Sequence, residues 1–166
     1  MPLAHNPKIH DDPVRILQRL IQFDTTNPPG NEGPCIHFIK KLLDETGIPT
    51  TVLALDPARP NLVARLRGQD NAPPLLLYGH VDVVTTEKQP WTVPPFEGRI
   101  QDGYLWGRGT LDMKGGVAMM LSAFVRAHRE KLPLPGDVLL ALTSDEESLD
   151  HYGAAYLVKH HPELFE

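Results

Sequence analysis

The sequence predicts an α/β fold whose sheet contains parallel strands. Two apolar runs, Leu75-Leu76-Leu77-Tyr78 and Val138-Leu139-Leu140-Ala141-Leu142, have the length and composition of buried strands. A plainly helical stretch from Gly115 to about Glu130 separates them. Strand, helix, strand in that order is a βαβ crossover, which gives parallel strands in an α/β sheet. The hydrophobic share of 41% and charged share of 22% are those of a globular chain, and 166 residues read as one domain with a real core.

The elements follow in chain order. Asp12-Pro13 reads as an N-cap with proline at the first helical position. Val14, Leu17, Leu20 and Ile21 then recur at helical spacing, and the helix is expected to end near Asp24. The loop Thr25-Thr26-Asn27-Pro28-Pro29-Gly30-Asn31 separates it from a second helix, about Pro34 to Thr46. That helix turns Ile36, Ile39, Leu42 and Leu43 inward, with Gly47 as its C-cap. Thr50 to Leu55 and Leu62 to Leu66 read as strands joined by the turn Asp56-Pro57-Ala58-Arg59-Pro60-Asn61. The strand at 75–79 follows Pro73-Pro74 and is expected to be covered on both faces. Phe96 to Tyr104 is turn-rich and could hold a short hairpin. In the long helix Val117, Met120, Leu121, Phe124, Val125 and His128 share one face. Pro133-Leu134-Pro135-Gly136 breaks it before the strand at 138–143, and a last helix covers Gly153 to His160.

Three segments carry chemistry: Gly79-His80-Val81-Asp82, Gly109-Thr110-Leu111-Asp112-Met113-Lys114-Gly115-Gly116 and Ser144-Asp145-Glu146-Glu147. Taken singly, a His-x-Asp is a common surface pair, a Glu-Glu dipeptide is usually solvated, and Gly107-Arg108-Gly109 could be only a tight turn. Together they fall at the ends of one βαβ unit, and ligands of open α/β sheets bind at the carboxyl ends of the strands. A hydrolase that cleaves an amide at neutral pH must make a nucleophile from water and stabilise an oxyanion. Two metal ions roughly 3.5–4 Å apart do both. Asp112, in its Gly-rich turn, suits a bridging carboxylate, and His80 offers an imidazole nitrogen suited to zinc. Asp82 could orient His80 by accepting its other ring proton. At a strand end the adjacent glutamates can divide labour, Glu147 as metal ligand and Glu146 as general base.

Other classes are disfavoured. The formal net charge is −5, with a pI near 5.9, and no basic cluster is present, so a nucleic-acid partner is not expected. No apolar run approaches a membrane span, and the first residues, Met1 to Lys8, contain no apolar secretory region. Cys35 is the sole cysteine, so no internal disulfide can form, which fits a reducing cytoplasm. It sits inside an amphipathic helix and reads as a core thiol. Gly107-x-Gly109 lacks the third glycine of a dinucleotide-binding fingerprint. Met113, Met119 and Met120 read as packing residues, and His160-His161 as a polar helix terminus.

The three segments together resemble the zinc carboxypeptidase/aminoacylase family of dinuclear metallopeptidases, relatives of glutamate carboxypeptidase, acetylornithine deacetylase and succinyl-diaminopimelate desuccinylase. Thr26-Asn27-Pro28-Pro29-Gly30 and Trp91-x-x-x-Pro95-Phe96 also look like segments of that family. The resemblance runs from about Val14 onward. It implies a three-layer catalytic domain with a mostly parallel mixed sheet and helices on both faces. It implies two divalent metal ions, zinc first, with cobalt or manganese able to substitute. His80 would bind one ion, Glu147 the other, and Asp112 would bridge them. Glu146 would be the general base, Asp82 would support His80, and the peptide after Asp112 would be cis. The implied substrate is a small peptide or N-acyl amino acid.

On the same resemblance residues 1–166 are the N-terminal part of the catalytic domain. The remaining ligands, the rest of that domain and the dimerisation domain of a homodimer would lie outside the chain. Two protein ligands per ion are left where zinc normally takes at least three. Weak metal binding and little activity are therefore expected of the chain alone. The alternative is a non-catalytic binding module derived from the same family.

Overall fold

The computed structural model describes residues 9–149 and 151–165. The leading residues 1–8, read above for a secretory signal, lie outside them. In order come α1 (Pro13–Ile21), α2 (Gly33–Asp44), β1 (Thr50–Leu53), β2 (Asn61–Leu66), β3 (Leu75–His80), β4 (Arg99–Gln101), β5 (Tyr104–Trp106), α3 (Lys114–Arg129), β6 (Val138–Thr143) and α4 (Ala154–His160). Short 3-10 turns, Ile9–Asp11 and Pro162–Phe165, flank the series.

The caps expected from sequence are in place. Asp12 Oδ1 accepts the amides of Val14 (3.0 Å) and Arg15 (3.2 Å), with Pro13 opening α1. After α2 the chain reverses at Gly47, whose φ of +79° a side-chain-bearing residue adopts only at a cost. α1 stops at Ile21, short of Asp24, and its buried face is Ile16, Leu20 and Ile21. Val14 is half exposed, so the inward stripe is rotated from the one its spacing suggested.

The main sheet has the order β1-β2-β6-β3. It is mixed, as expected, but among the described residues "mostly parallel" needs correction. β1–β2 and β2–β6 are antiparallel, and only β3–β6 is parallel. The short connection between β1 and β2 permits only an antiparallel hairpin, whereas β3 reaches β6 through α3. Arg99–Gln101 and Tyr104–Trp106 form the small hairpin anticipated in the turn-rich stretch, shifted slightly later.

Helices cover both faces. Ile16 and Leu20 of α1, Ile36, Ile39 and Leu43 of α2, and Val117, Leu121 and Phe124 of α3 pack with Leu62, Ala64, Leu140 and Leu142 in one buried cluster. On the opposite face Leu157 of α4 meets Val63 and Ala141. The alternation of β2 residues between the two clusters is the period of a strand with two covered faces. Each fully buried leucine or isoleucine contributes roughly 1.5–3 kcal/mol. Cys35 lies wholly inside the first cluster, where burial raises its thiol pKa to about 11, as befits a core thiol. Met113 and Met120 pack on that cluster, whereas Met119 is exposed and is not a packing residue.

β3 is less covered than its composition suggested. Leu75, Leu76 and Tyr78 are exposed, because among the described residues β3 is an edge strand paired only with β6. Leu76 and Tyr78 line an apolar trough with Ala141, Leu157 and Val158. At the other end of the sheet Asp137 ties β2 to β6. It accepts Arg65 Nη1 (2.7 Å), Arg67 Nη1 (2.9 Å) and the Gly68 amide (2.8 Å). Among the described residues no helix is long and apolar enough to cross a membrane.

Candidate metal centre

The parallel register of β3 and β6 sets His80 beside Thr143, so both strands finish at the same edge. The Val81 amide donates to the Thr143 carbonyl (2.9 Å), which holds the two departing segments together. β3 runs on into Asp82 and β6 into Asp145, Glu146 and Glu147. The third segment arrives from the turn before α3. There Gly109 has φ +86°, the Lys114 amide donates to the Gly109 carbonyl (2.9 Å), and the Asp112–Met113 peptide is cis, as the resemblance implied. Lys114 anchors this turn from beneath. Its side chain is fully buried and its ammonium donates to the Phe23 carbonyl (2.8 Å). Burial lowers the Lys114 pKa, and the charges of Cys35, Asp24, Asp82 and Glu32 offset this only in part.

These elements bring together an imidazole nitrogen of His80 and carboxylate oxygens of Asp112 and Glu147, all within 4.8 Å of one another. His80 Nε2 lies 3.3 Å from Asp112 Oδ1 and 3.6 Å from Glu146 Oε2. The other ring nitrogen, Nδ1, faces Asp82, at 3.2 Å from its carbonyl oxygen and 3.3 Å from Oδ1. All five residues singled out in the sequence therefore meet at one edge. Their exposures differ in a useful way. The His80 and Asp82 side chains are 4% and 0% exposed, whereas Asp112 and Glu146 are 76% and 47% exposed. A buried imidazole carries exposed carboxylates at its open side.

Burial pushes the His80 pKa down, but the hydrogen bond and charge of Asp82, with the charge of Glu146, hold it up at about 9. Burial raises Asp82, yet hydrogen bonds from His80, Asn27 and the Glu147 and Glu146 amides bring it below the usual carboxylate range. Glu147 is raised, first by burial, against the pull of His80, with the negative charges of Asp112, Asp82 and Glu146 adding to the rise. Acidic groups crowd one imidazole. One nitrogen and two or more carboxylate oxygens, with room on the solvent side, suit a divalent cation of borderline softness.

Sequence reasoning missed the support beneath these groups. Asn27 Nδ2 donates to both Asp82 Oδ2 (2.8 Å) and Asp145 Oδ1 (3.0 Å). Arg59 grips Glu32 through Nε (3.1 Å) and Nη2 (2.7 Å), and its Nη1 lies 3.1 Å from Asp145 Oδ1. Glu32, Arg59, Asn27 and Asp145 are all buried. Arg59 stood in a strand-joining turn and Glu32 ahead of a helix, and neither position signals burial. Asn27, inside the family-like segment, and Asp145, inside the third chemical segment, carried a hint.

Known proteins provide an independent comparison. A family model described as peptidase family M20/M25/M40 matches residues 76–166, which include all three segments. The succinyl-diaminopimelate desuccinylase of Wolbachia pipientis is 34% identical over 86% of this chain, which spans 35% of that relative's length. Among solved structures, human carnosine dipeptidase 1 superposes with a TM-score of 0.76 at 21% identity, covering 94% of this chain and 36% of the other. A Bacillus subtilis dinuclear metal binding peptidase from the M20 family gives a TM-score of 0.63 at 17% identity, covering 91% and 39%.

Proposed function

Because the chain belongs to peptidase family M20/M25/M40, we propose that it supplies half of the metal centre of a hydrolase that cleaves an amide bond in a small peptide or N-acyl amino acid. The observation that carries this reading is the convergence of His80, Asp112 and Glu147 within ligand distance of one another. The relatives point the same way, one being a desuccinylase and another a dipeptidase. In this reading residues 1–166 are the N-terminal part of a catalytic domain, and the longer form is a homodimer.

His80 would hold one ion and Glu147 the other, with the Asp112 carboxylate shared by both. Zinc is the expected ion for this nitrogen-and-carboxylate set, and cobalt or manganese can replace it. When bound, such a pair acidifies water and polarises the scissile carbonyl. The protein's own groups do the rest. Asp82 fixes the ring of His80 through Nδ1, which leaves Nε2 as the ligand atom. Glu146, half exposed and 3.6 Å from that Nε2, takes the proton of the attacking water and delivers it to the leaving nitrogen. Three donors shared between two ions make a weak site, so the chain alone is expected to hold metal loosely and to turn over little.

Metal content and hydrolysis of N-succinyl amino acids and dipeptides test this, measured on the chain and on a form extended downstream. The expected result is metal-dependent cleavage by the longer form, abolished by Glu146→Ala with metal retained. A longer form that takes up no metal and cleaves none of these substrates overturns the reading. Loss of metal in Glu146→Ala would instead make Glu146 a ligand.

A further inference from the structure

We infer that Asp145 is a positioning residue, which through a buried chain from Glu32, Arg59 and Asn27 sets the turn that presents Glu146 and Glu147. The inference rests on the reading of His80, Asp112 and Glu147 as a metal centre, and it adds residues outside that set.

Two adjacent glutamates leave a regular strand on opposite faces. To serve one site, the chain must change direction just before them. Asp145 makes that change. It has φ +65°, left-handed backbone that aspartate tolerates better than most side chains but still at a cost. Directly after it the amides of Glu146 (3.1 Å) and Glu147 (2.9 Å) both turn to the Asp82 carboxylate. The backbone bearing both glutamates is thereby tied to the residue that orients His80.

The Asp145 side chain fixes the turn from below. Its Oδ2 accepts the amides of His151 (2.7 Å) and Tyr152 (3.2 Å), clamping the far end of the segment to its start. Its Oδ1 takes Asn27 Nδ2 (3.0 Å) and lies 3.1 Å from Arg59 Nη1. Arg59 is itself held by the Glu32 fork and lies over the Tyr152 ring, 4.9 Å from its centroid. The planar guanidinium reaches both carboxylates at once, which a lysine ammonium cannot do in the same geometry. The Asn27 amide group resolves a second problem. Asp145 and Asp82 are buried acids on neighbouring segments, and one Nδ2 donates to both and fixes their separation. A ligand and the base beside it need such support, because misplacing a ligand by a fraction of an ångström weakens a metal site.

Asp145→Asn tests the inference in the 166-residue chain by amide hydrogen exchange and zinc affinity. The amide group of the asparagine would have to face donors on one side or the other. Exchange at Glu146 and Glu147 is expected to accelerate at least about tenfold while the Leu62, Ala64, Leu140 and Leu142 amides keep their rates, and zinc binding is expected to weaken by about ten- to a hundredfold. Arg59→Lys keeps the charge but loses the fork. It is expected to shift the same two readouts in the same direction by less, and it carries the test should Asp145→Asn fail to fold. Unchanged exchange at Glu146 and Glu147 overturns the inference. So does acceleration that merely follows the sheet amides, since that marks general stabilisation only. Zinc bound by the wild-type chain and lost in Glu147→Gln supports the metal reading itself. With that result in hand, undiminished zinc affinity in Asp145→Asn overturns the positioning role alone. A wild-type chain that binds no zinc at millimolar concentration overturns the metal reading instead.

Discussion

Replacing Asp82 by asparagine removes one charge and almost no volume, yet it should be among the costliest single changes in this chain. Asp82 is fully buried, and each oxygen is committed. Oδ1 accepts the Glu146 amide (3.1 Å) and faces His80 Nδ1 (3.3 Å). Oδ2 accepts Asn27 Nδ2 (2.8 Å) and the Glu147 amide (2.9 Å). Whichever way an asparagine is turned, its amide group faces two donors, so two hydrogen bonds to a charged acceptor are lost. At about 1.5–3 kcal/mol each, the loss is about 3–6 kcal/mol. Repulsion from the exposed carboxylate of Glu146 falls at the same time, by about 1 kcal/mol. The net cost of about 2–5 kcal/mol is a large part of the roughly 5–15 kcal/mol that holds a domain folded. Urea unfolding followed by circular dichroism reads that cost. Histidine NMR reads a second consequence, since His80 loses the partner that raises it and should titrate well below about 9. Stability within about 1 kcal/mol of wild type, together with an unmoved His80, would show that the hydrogen bonds to Asp82 do not organise the site.

Other perturbations separate the core from the cleft. Leu121→Ala opens a void in the wholly buried cluster beneath α3 and should cost about 2–5 kcal/mol in urea unfolding, with zinc affinity unchanged. Asp112→Ala should do the reverse. The side chain is 76% exposed, so stability should stay within about 0.5 kcal/mol while zinc binding disappears. Asp137 should shape the acid limb. The Gly68 amide, with Arg65 and Arg67, lowers its pKa to about 2, whereas an unfolded aspartate titrates near 3.9. Between those values the unfolded chain binds a proton that the folded chain does not. The contribution is therefore full above about pH 4 and is lost as the pH falls toward 2. Asp137→Asn should flatten stability against pH across that window.

Much of this architecture was legible in the residues, because local physics decided it. Asp12-Pro13, Gly47 and the stripe Val117, Leu121, Phe124, Val125 mark helix ends and a buried face with no tertiary information. The βαβ order was enough to bring His80, Asp82, Asp112, Glu146 and Glu147 to one edge, since parallel strands must end together. What escaped depends on who sits beside whom. Leu75-Leu76-Leu77-Tyr78 reads as a buried strand, and its exposure follows from its place at the sheet edge, which composition does not encode. Arg59 and Glu32 are separated by 27 residues, and nothing in either neighbourhood announces that they pair out of water. Buried polar networks draw their members from distant turns, so no sequence period marks them.

Diffraction at the zinc absorption edge from crystals of this chain grown with millimolar zinc would bear most directly on the metal centre. Anomalous density is expected about 2.0–2.2 Å from His80 Nε2 and from carboxylate oxygens of Asp112 and Glu147. Zinc found only at surface histidines such as His160 and His161, with none between His80 and Asp112, would contradict the assignment.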